Sequence, residues 1–125
     1  AEAARAAGVA VAVQRCGSMI TPFFLSDQAA AAAAEALARE RASAEQHAVS
    51  TESGHIIRNY ADALACDTQA YARFFRVMLD QGIMLPPSQF ESWFISSAHT
   101  EGDIDATLDA ARQAFRAVKS PAETE

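Results

Sequence analysis

At 125 residues the chain fits one domain with a single modest core and is short for a self-sufficient metabolic enzyme, so any catalytic role has to be shown residue by residue. Its formal net charge of -6 argues against a phosphate-backbone partner, because nucleic-acid binding calls for a basic stripe and none is present. No apolar run approaches the roughly 20 residues that cross a bilayer, and Glu2 and Arg5 stand where a secretory signal would need a basic start and an apolar run.

Alanine makes up much of the hydrophobic half of the composition, so the core has to come from the few bulky side chains. Ala1 to Ala7 read as the last turns of a helix stopped by Gly8, whose freedom at positive φ suits a helix end. Val9, Val11 and Val13 alternate with small residues as a first strand, and Gly17-Ser18 interrupts before a β-branched and aromatic second strand over Met19 to Leu25. Pro22 cannot donate to a ladder, which predicts an edge strand or a break there. From Ser26 to about Arg58 an alanine-rich, charge-spotted segment predicts a helix capped by Ser26 or Asp27. Up to Gly54 only Leu37 and Val49 are bulky, so its helix is expected to be solvated and to lead into a flexible surface stretch over Ser50 to Gly54.

Between Tyr60 and Gln81 the residues Leu64, Tyr71, Phe74, Phe75, Met78 and Leu79 return to one face at three- and four-residue steps, predicting one core helix ended by Gly82. Short strands are expected at Ile83 to Leu85, stopped by Pro86-Pro87, and at Trp93 to Ile95. Thr100 with Asp103 nearly matches a capping box and opens a last helix with a face of Ile104, Leu108, Ala111, Phe115 and Val118, before a polar tail from Lys119 to Glu125. The sum is an α+β fold, a small sheet of short strands covered by helices on one face.

The chemistry-bearing residues are few. Cys16 and Cys66 lie far apart without metal-ligand spacing and read as reduced thiols of a cytoplasmic protein. His47 and His55 fall in the polar segment and read as surface residues, while His99 reads as the hydrogen-bonded brace of a strand-to-helix corner. No nucleophile elbow or phosphate-binding glycine loop occurs. The informative run is Gly82 to Asp105, in which Glu91 stands among Phe90, Trp93 and Phe94, neighbours that could enclose a carboxyl group or pair it with a cation.

That run, with Leu85-Pro86-Pro87-Ser88-Gln89-Phe90-Glu91 followed by Phe94-Ile95-Ser96-Ser97-Ala98-His99-Thr100, resembles the C-terminal signature of glutamate-1-semialdehyde aminomutases. Two more stretches are similar to that family: Gln14 to Met19 with Phe23-Phe24, and Asn59 to Leu64 with Asp67-Thr68. The alanine-rich segment from Ala29 to Arg58 departs from it, standing where the family usually has a short loop.

The resemblance implies the C-terminal small domain of an aspartate-aminotransferase-like (fold type I) enzyme that uses pyridoxal 5'-phosphate. It implies a homodimer that moves an amino group within glutamate-1-semialdehyde to give the tetrapyrrole precursor 5-aminolevulinate. A large domain would carry the cofactor and its lysine, and the small domain would close over the substrate. It assigns substrate binding and gating to Glu91, with Ser88 and Gln89 fixing the turn. The only lysine, Lys119, sits in a polar context unlike a pocket that lowers an ammonium pKa, so the chain is not expected to complete the reaction alone. A first methionine only at Met19 predicts a processed or truncated chain. Two other readings stand beside this one: a small domain of another class-III aminotransferase, against which the Ser-Gln-Phe-Glu turn argues, and a non-catalytic interaction module.

Overall fold

The computed structural model describes residues 1–42 and 57–119. In chain order the elements are α1 (Glu2–Ala6), β1 (Val11–Cys16), β2 (Met19–Phe24), α2 (Asp27–Ala42), α3 (Tyr60–Leu64), α4 (Thr68–Asp80), β3 (Trp93–Phe94) and α5 (Glu101–Lys119). They form an α+β fold around a three-stranded antiparallel sheet of order β1-β2-β3. The expected Ser50 to Gly54 stretch, His47, His55 and the tail beyond Lys119 lie outside the described residues.

The hairpin forms where alternation and Gly17 place it, with Val11 opposite Phe24 and Cys16 opposite Met19. Gly17 adopts φ +58, a conformation that costs glycine nothing and suits the two-residue turn. Pro22 neither breaks β2 nor places it at the edge, because β2 is the central strand. The Leu25 N–H donates to the Ala10 carbonyl, and by the alternation of an antiparallel ladder the nitrogen of Pro22 points away from β1. On that side β3 pairs only with Met19 and Ile20, so no ladder bond is lost at Pro22.

The strand period sorts side chains to two faces. Val11 and Phe24 join Tyr71, Phe74 and Met78 of α4 and Ala114, Phe115 and Val118 of α5 in the main core. Its centre is aromatic: the Phe74 ring lies 4.7 Å from Phe115 and 5.2 Å from Phe24, spacings at which tilted rings attract beyond their buried area. The opposite face is not bare, as one-sided coverage would have it. Ala12, Leu25 and Cys66 are buried there, with Phe23, Ala29, Ala30 and Ile57 packed on them. Burial pushes the Cys66 thiol up, and the neighbouring Asp62 adds to that shift; Cys66 and the exposed Cys16 are both free.

Three expectations are corrected. The Tyr60 to Gln81 periodicity resolves into two helices, because Asn59 caps α3 by accepting from the Asp62 N–H and Asp67 caps α4 by accepting from the Ala70 N–H. Between them Cys66 bridges Leu25 and the Asp67 N–H donates to the Phe24 carbonyl, so the corner is stitched to β2 while Leu64 turns outward. Ile83 to Leu85 form no strand, and β3 is two residues long. On α5 the buried face runs from Ala110 to Val118, whereas Leu108 is exposed.

Helix ends follow local chemistry. Ser26 opens α2, its hydroxyl accepting from the Ala29 N–H. At α5 the capping box is complete: the Asp103 N–H donates to the Thr100 hydroxyl at 3.2 Å, and the Thr100 N–H donates to the Asp103 carboxylate at 2.8 Å. That backbone bond first, and the Thr100 hydroxyl second, hold the Asp103 carboxyl below its usual value. A carboxyl shifted downward stabilises the fold above its unfolded pKa of about 3.9, and the contribution is lost as pH falls through the lower folded value. Thr100→Ala is expected to cost about 1 kcal/mol at neutral pH. Asp103→Asn removes the titrating carboxyl itself, so the gap between that variant and the parent in thermal unfolding should narrow below about pH 4; a gap independent of pH would contradict the assignment.

Candidate functional site

The segment from Gly82 to His99 leaves α4, crosses to the sheet and enters α5. Gly82 takes φ +80 and its N–H donates to the Leu79 carbonyl, while the Ile83 N–H donates to the Met78 carbonyl. This pair of bonds closes α4 and aims the chain back toward the core, where Ile83 and Leu85 pack. Pro86 and Pro87 then stiffen the approach to the turn.

Ser88 organises the turn itself. Its hydroxyl accepts from the Phe90 N–H at 3.2 Å and its carbonyl accepts from the Glu91 N–H at 3.2 Å. Gln89 points inward, 1% exposed, and its Oε1 accepts from the Phe24 N–H at 3.2 Å. That amide points away from β1, so a glutamine from the loop occupies the ladder position that β3 does not reach. Gln89 Nε2 is also buried and finds no hydrogen-bond partner among the described residues. A buried unpaired donor costs about 1–3 kcal/mol, which marks Gln89 as a residue whose polarity is not explained by packing.

Glu91 follows on the outside of the turn and is exposed. The aromatic residues beside it in sequence do not enclose it: Phe90 and Phe94 are 45% and 67% exposed, and Trp93 turns into the core. Phe90 instead meets Tyr60 of α3 with ring centroids 6.0 Å apart. The result is a solvent-exposed carboxylate on a turn that also carries the exposed ring of Phe90, a surface that can receive a cationic or hydroxyl-bearing group.

Further bonds fix the end of the segment. The Ser92 hydroxyl lies 3.1 Å from that of Thr21 on β2, the Trp93 indole stacks on Phe74, and the Ile95 N–H donates to the Ser18 carbonyl. His99 Nδ1 accepts from the Ser96 N–H at 3.1 Å, bracing the corner before α5. The structure thus brings Ser88, Gln89 and Glu91 onto one turn but with unlike roles, Ser88 and Gln89 holding it and Glu91 facing outward. Composition did not disclose the phenol of Tyr71, which lies beneath this turn; a hydroxyl-bearing side chain on an otherwise apolar helix face was the available signal.

Among the described residues no group of three or more His, Cys, Asp or Glu side chains could hold a metal ion, and no helix is long and apolar enough to cross a membrane. Lys119 is exposed on the last turn of α5, beside Gly8. An exposed lysine is not the enclosed amine that a covalently held aldehyde cofactor needs, and no other lysine occurs, so the described residues do not by themselves fit such a cofactor.

No family model matches the chain. It is 38% identical over 115 residues to the glutamate-1-semialdehyde 2,1-aminomutase of Desulfatibacillum aliphaticivorans, covering 92% of the chain and 20% of that protein. To the protein of the same name from Acidobacterium capsulatum it is 38% identical over 120 residues, 96% of the chain and 21% of that protein. Glutamate-1-semialdehyde 2,1-aminomutase 2 of Halalkalibacterium halodurans is 54% identical over 63 residues, half of the chain and 15% of that protein. The chain therefore spans about a fifth of the length of the two relatives that match nearly all of it.

Proposed function

The chain belongs to the glutamate-1-semialdehyde 2,1-aminomutase family, and from that premise we propose that its 125 residues are the C-terminal small domain of such an enzyme. The reading is carried by identity of 38% sustained over 92–96% of the chain, a match that takes up only 20–21% of those proteins. The small sheet with helices on its core face agrees with the small domain of an aspartate-aminotransferase-like fold. The alanine-rich stretch from Ala29 to Arg58, which α2 begins, is an insertion in it.

In this reading the whole protein is a cytoplasmic homodimer that converts glutamate-1-semialdehyde to 5-aminolevulinate for tetrapyrrole synthesis. Pyridoxal 5'-phosphate supplies the electron sink for the amino transfer and is held by the large domain. The exposed side of the turn that carries Glu91, where the Phe90 ring meets Tyr60, turns toward that domain and the substrate. Glu91 binds the substrate or a cation beside it and gates access, while Ser88 and Gln89 keep the turn in place so that the carboxylate arrives preorganised.

Lys119 has no part in holding the cofactor. In the whole protein Lys119→Ala should keep aminomutase activity within about twofold of the parent, as an exposed substitution away from the site does. The chain expressed without the rest should neither bind pyridoxal 5'-phosphate nor turn over glutamate-1-semialdehyde. Loss of activity in Lys119→Ala, or turnover by the isolated chain, would overturn the division of labour proposed here.

A further inference from the structure

The loop from Pro86 to Trp93 carries the outward-facing Glu91, and one buried atom holds both of its ends. Tyr71, on the core face of α4, is 2% exposed. Its hydroxyl donates to the Pro86 carbonyl at 2.6 Å and accepts from the Trp93 indole N–H at 3.3 Å. Both hydrogen-bonding capacities of the phenol are therefore spent on the two ends of the same loop. The Gln89 and Ser92 bonds to Phe24 and Thr21 fix its middle and its penultimate residue to β2, so the loop is tied to a helix and to a strand that are packed on each other.

The Trp93 indole is itself pinned, stacked on the Phe74 ring one turn along α4 from Tyr71. Burial pushes the Tyr71 phenol up and the Glu91 carboxylate adds to that shift, while the Trp93 bond acts the other way. Packing alone would be served by phenylalanine, as at Phe74 and Phe115, so the hydroxyl has a role apart from filling volume.

We propose that Tyr71 is a positioning residue of the aminomutase, its hydroxyl clamping Pro86 and Trp93 so that the intervening turn presents Glu91 in one orientation. This rests on the substrate role proposed for Glu91 above. Tyr71 touches no substrate; it acts through Glu91.

The test uses the whole protein and four forms: parent, Tyr71→Phe, Glu91→Gln and the double variant. Tyr71→Phe should lower kcat/KM about threefold to tenfold, as loss of one positioning bond does, and in the Glu91→Gln background it should add less than about twofold. Hydrogen exchange of the peptide spanning residues 86–93 should rise in Tyr71→Phe and stay at the parent level in Glu91→Gln. If Tyr71→Phe does not accumulate as folded protein, Trp93→Phe removes the second bond to the same oxygen and should give the same non-additive pattern. Effects that multiply, or exchange unchanged by loss of the hydroxyl, overturn the role of Tyr71 and leave that of Glu91 standing. Parent-like kinetics of Glu91→Gln overturn the role of Glu91, and the positioning role falls with it.

Discussion

Glu91→Gln in the whole protein is expected to reduce kcat/KM about tenfold to a hundredfold, the range set by losing a charge-assisted hydrogen bond worth about 1.5–3 kcal/mol. The substitution keeps the shape of the side chain and removes its capacity to carry charge. Glu91 is exposed and lies outside the core, so unfolding should change by no more than about 0.5 kcal/mol. A rise in KM at unchanged kcat would assign Glu91 to uniform binding of the substrate, and a fall in kcat to an interaction made during amino transfer. Steady-state kinetics indistinguishable from the parent would remove Glu91 from the site.

The largest effect on stability is expected at Phe74. Its ring is fully buried and meets Phe24, Tyr71, Trp93 and Phe115, so Phe74→Ala breaks four ring contacts at the centre of the core. Such truncations cost about 3–5 kcal/mol, the transfer term plus the cavity that incomplete collapse leaves. Against the ~5–15 kcal/mol that holds a typical domain folded, this is a large share. Chemical denaturation should show a lowered midpoint at unchanged slope, with Phe74→Leu far milder. A loss under about 1 kcal/mol would mean that the core is organised elsewhere.

Local signals were the legible part of the fold. The valine alternation and Gly17 gave the hairpin, Gly82 the end of α4, and Thr100 with Asp103 the start of α5, because turns and caps depend on residues within four positions. The break between α3 and α4 was hidden because Leu64 and Tyr71, seven apart, stay in phase with a continuous helix, although Asn59 and Asp67 each carried the signature of a cap. Ile83 to Leu85 have strand-forming side chains but no neighbouring strand to pair with, and β-propensity has little meaning without one.

The candidate site was legible in its residue types and not in its directions. Ser88 and Gln89 were placed at the turn, yet a glutamine is ordinarily a surface residue, and its burial against the Phe24 amide depends on β3 being too short to pair there. Glu91 looked enclosed because three aromatic residues stand within three positions of it, and only the fold shows that Trp93 turns inward while Phe90 and Phe94 stay exposed. The Tyr71 clamp joins residues 15 and 22 positions apart, a separation at which sequence spacing carries no signal.

The most direct test of the account is to supply the whole protein with glutamate-1-semialdehyde as the sole substrate and measure 5-aminolevulinate. Stoichiometric conversion with no external amino donor or keto-acid acceptor is the predicted result. Turnover that requires an added keto acid would contradict it and make the protein an aminotransferase between two substrates.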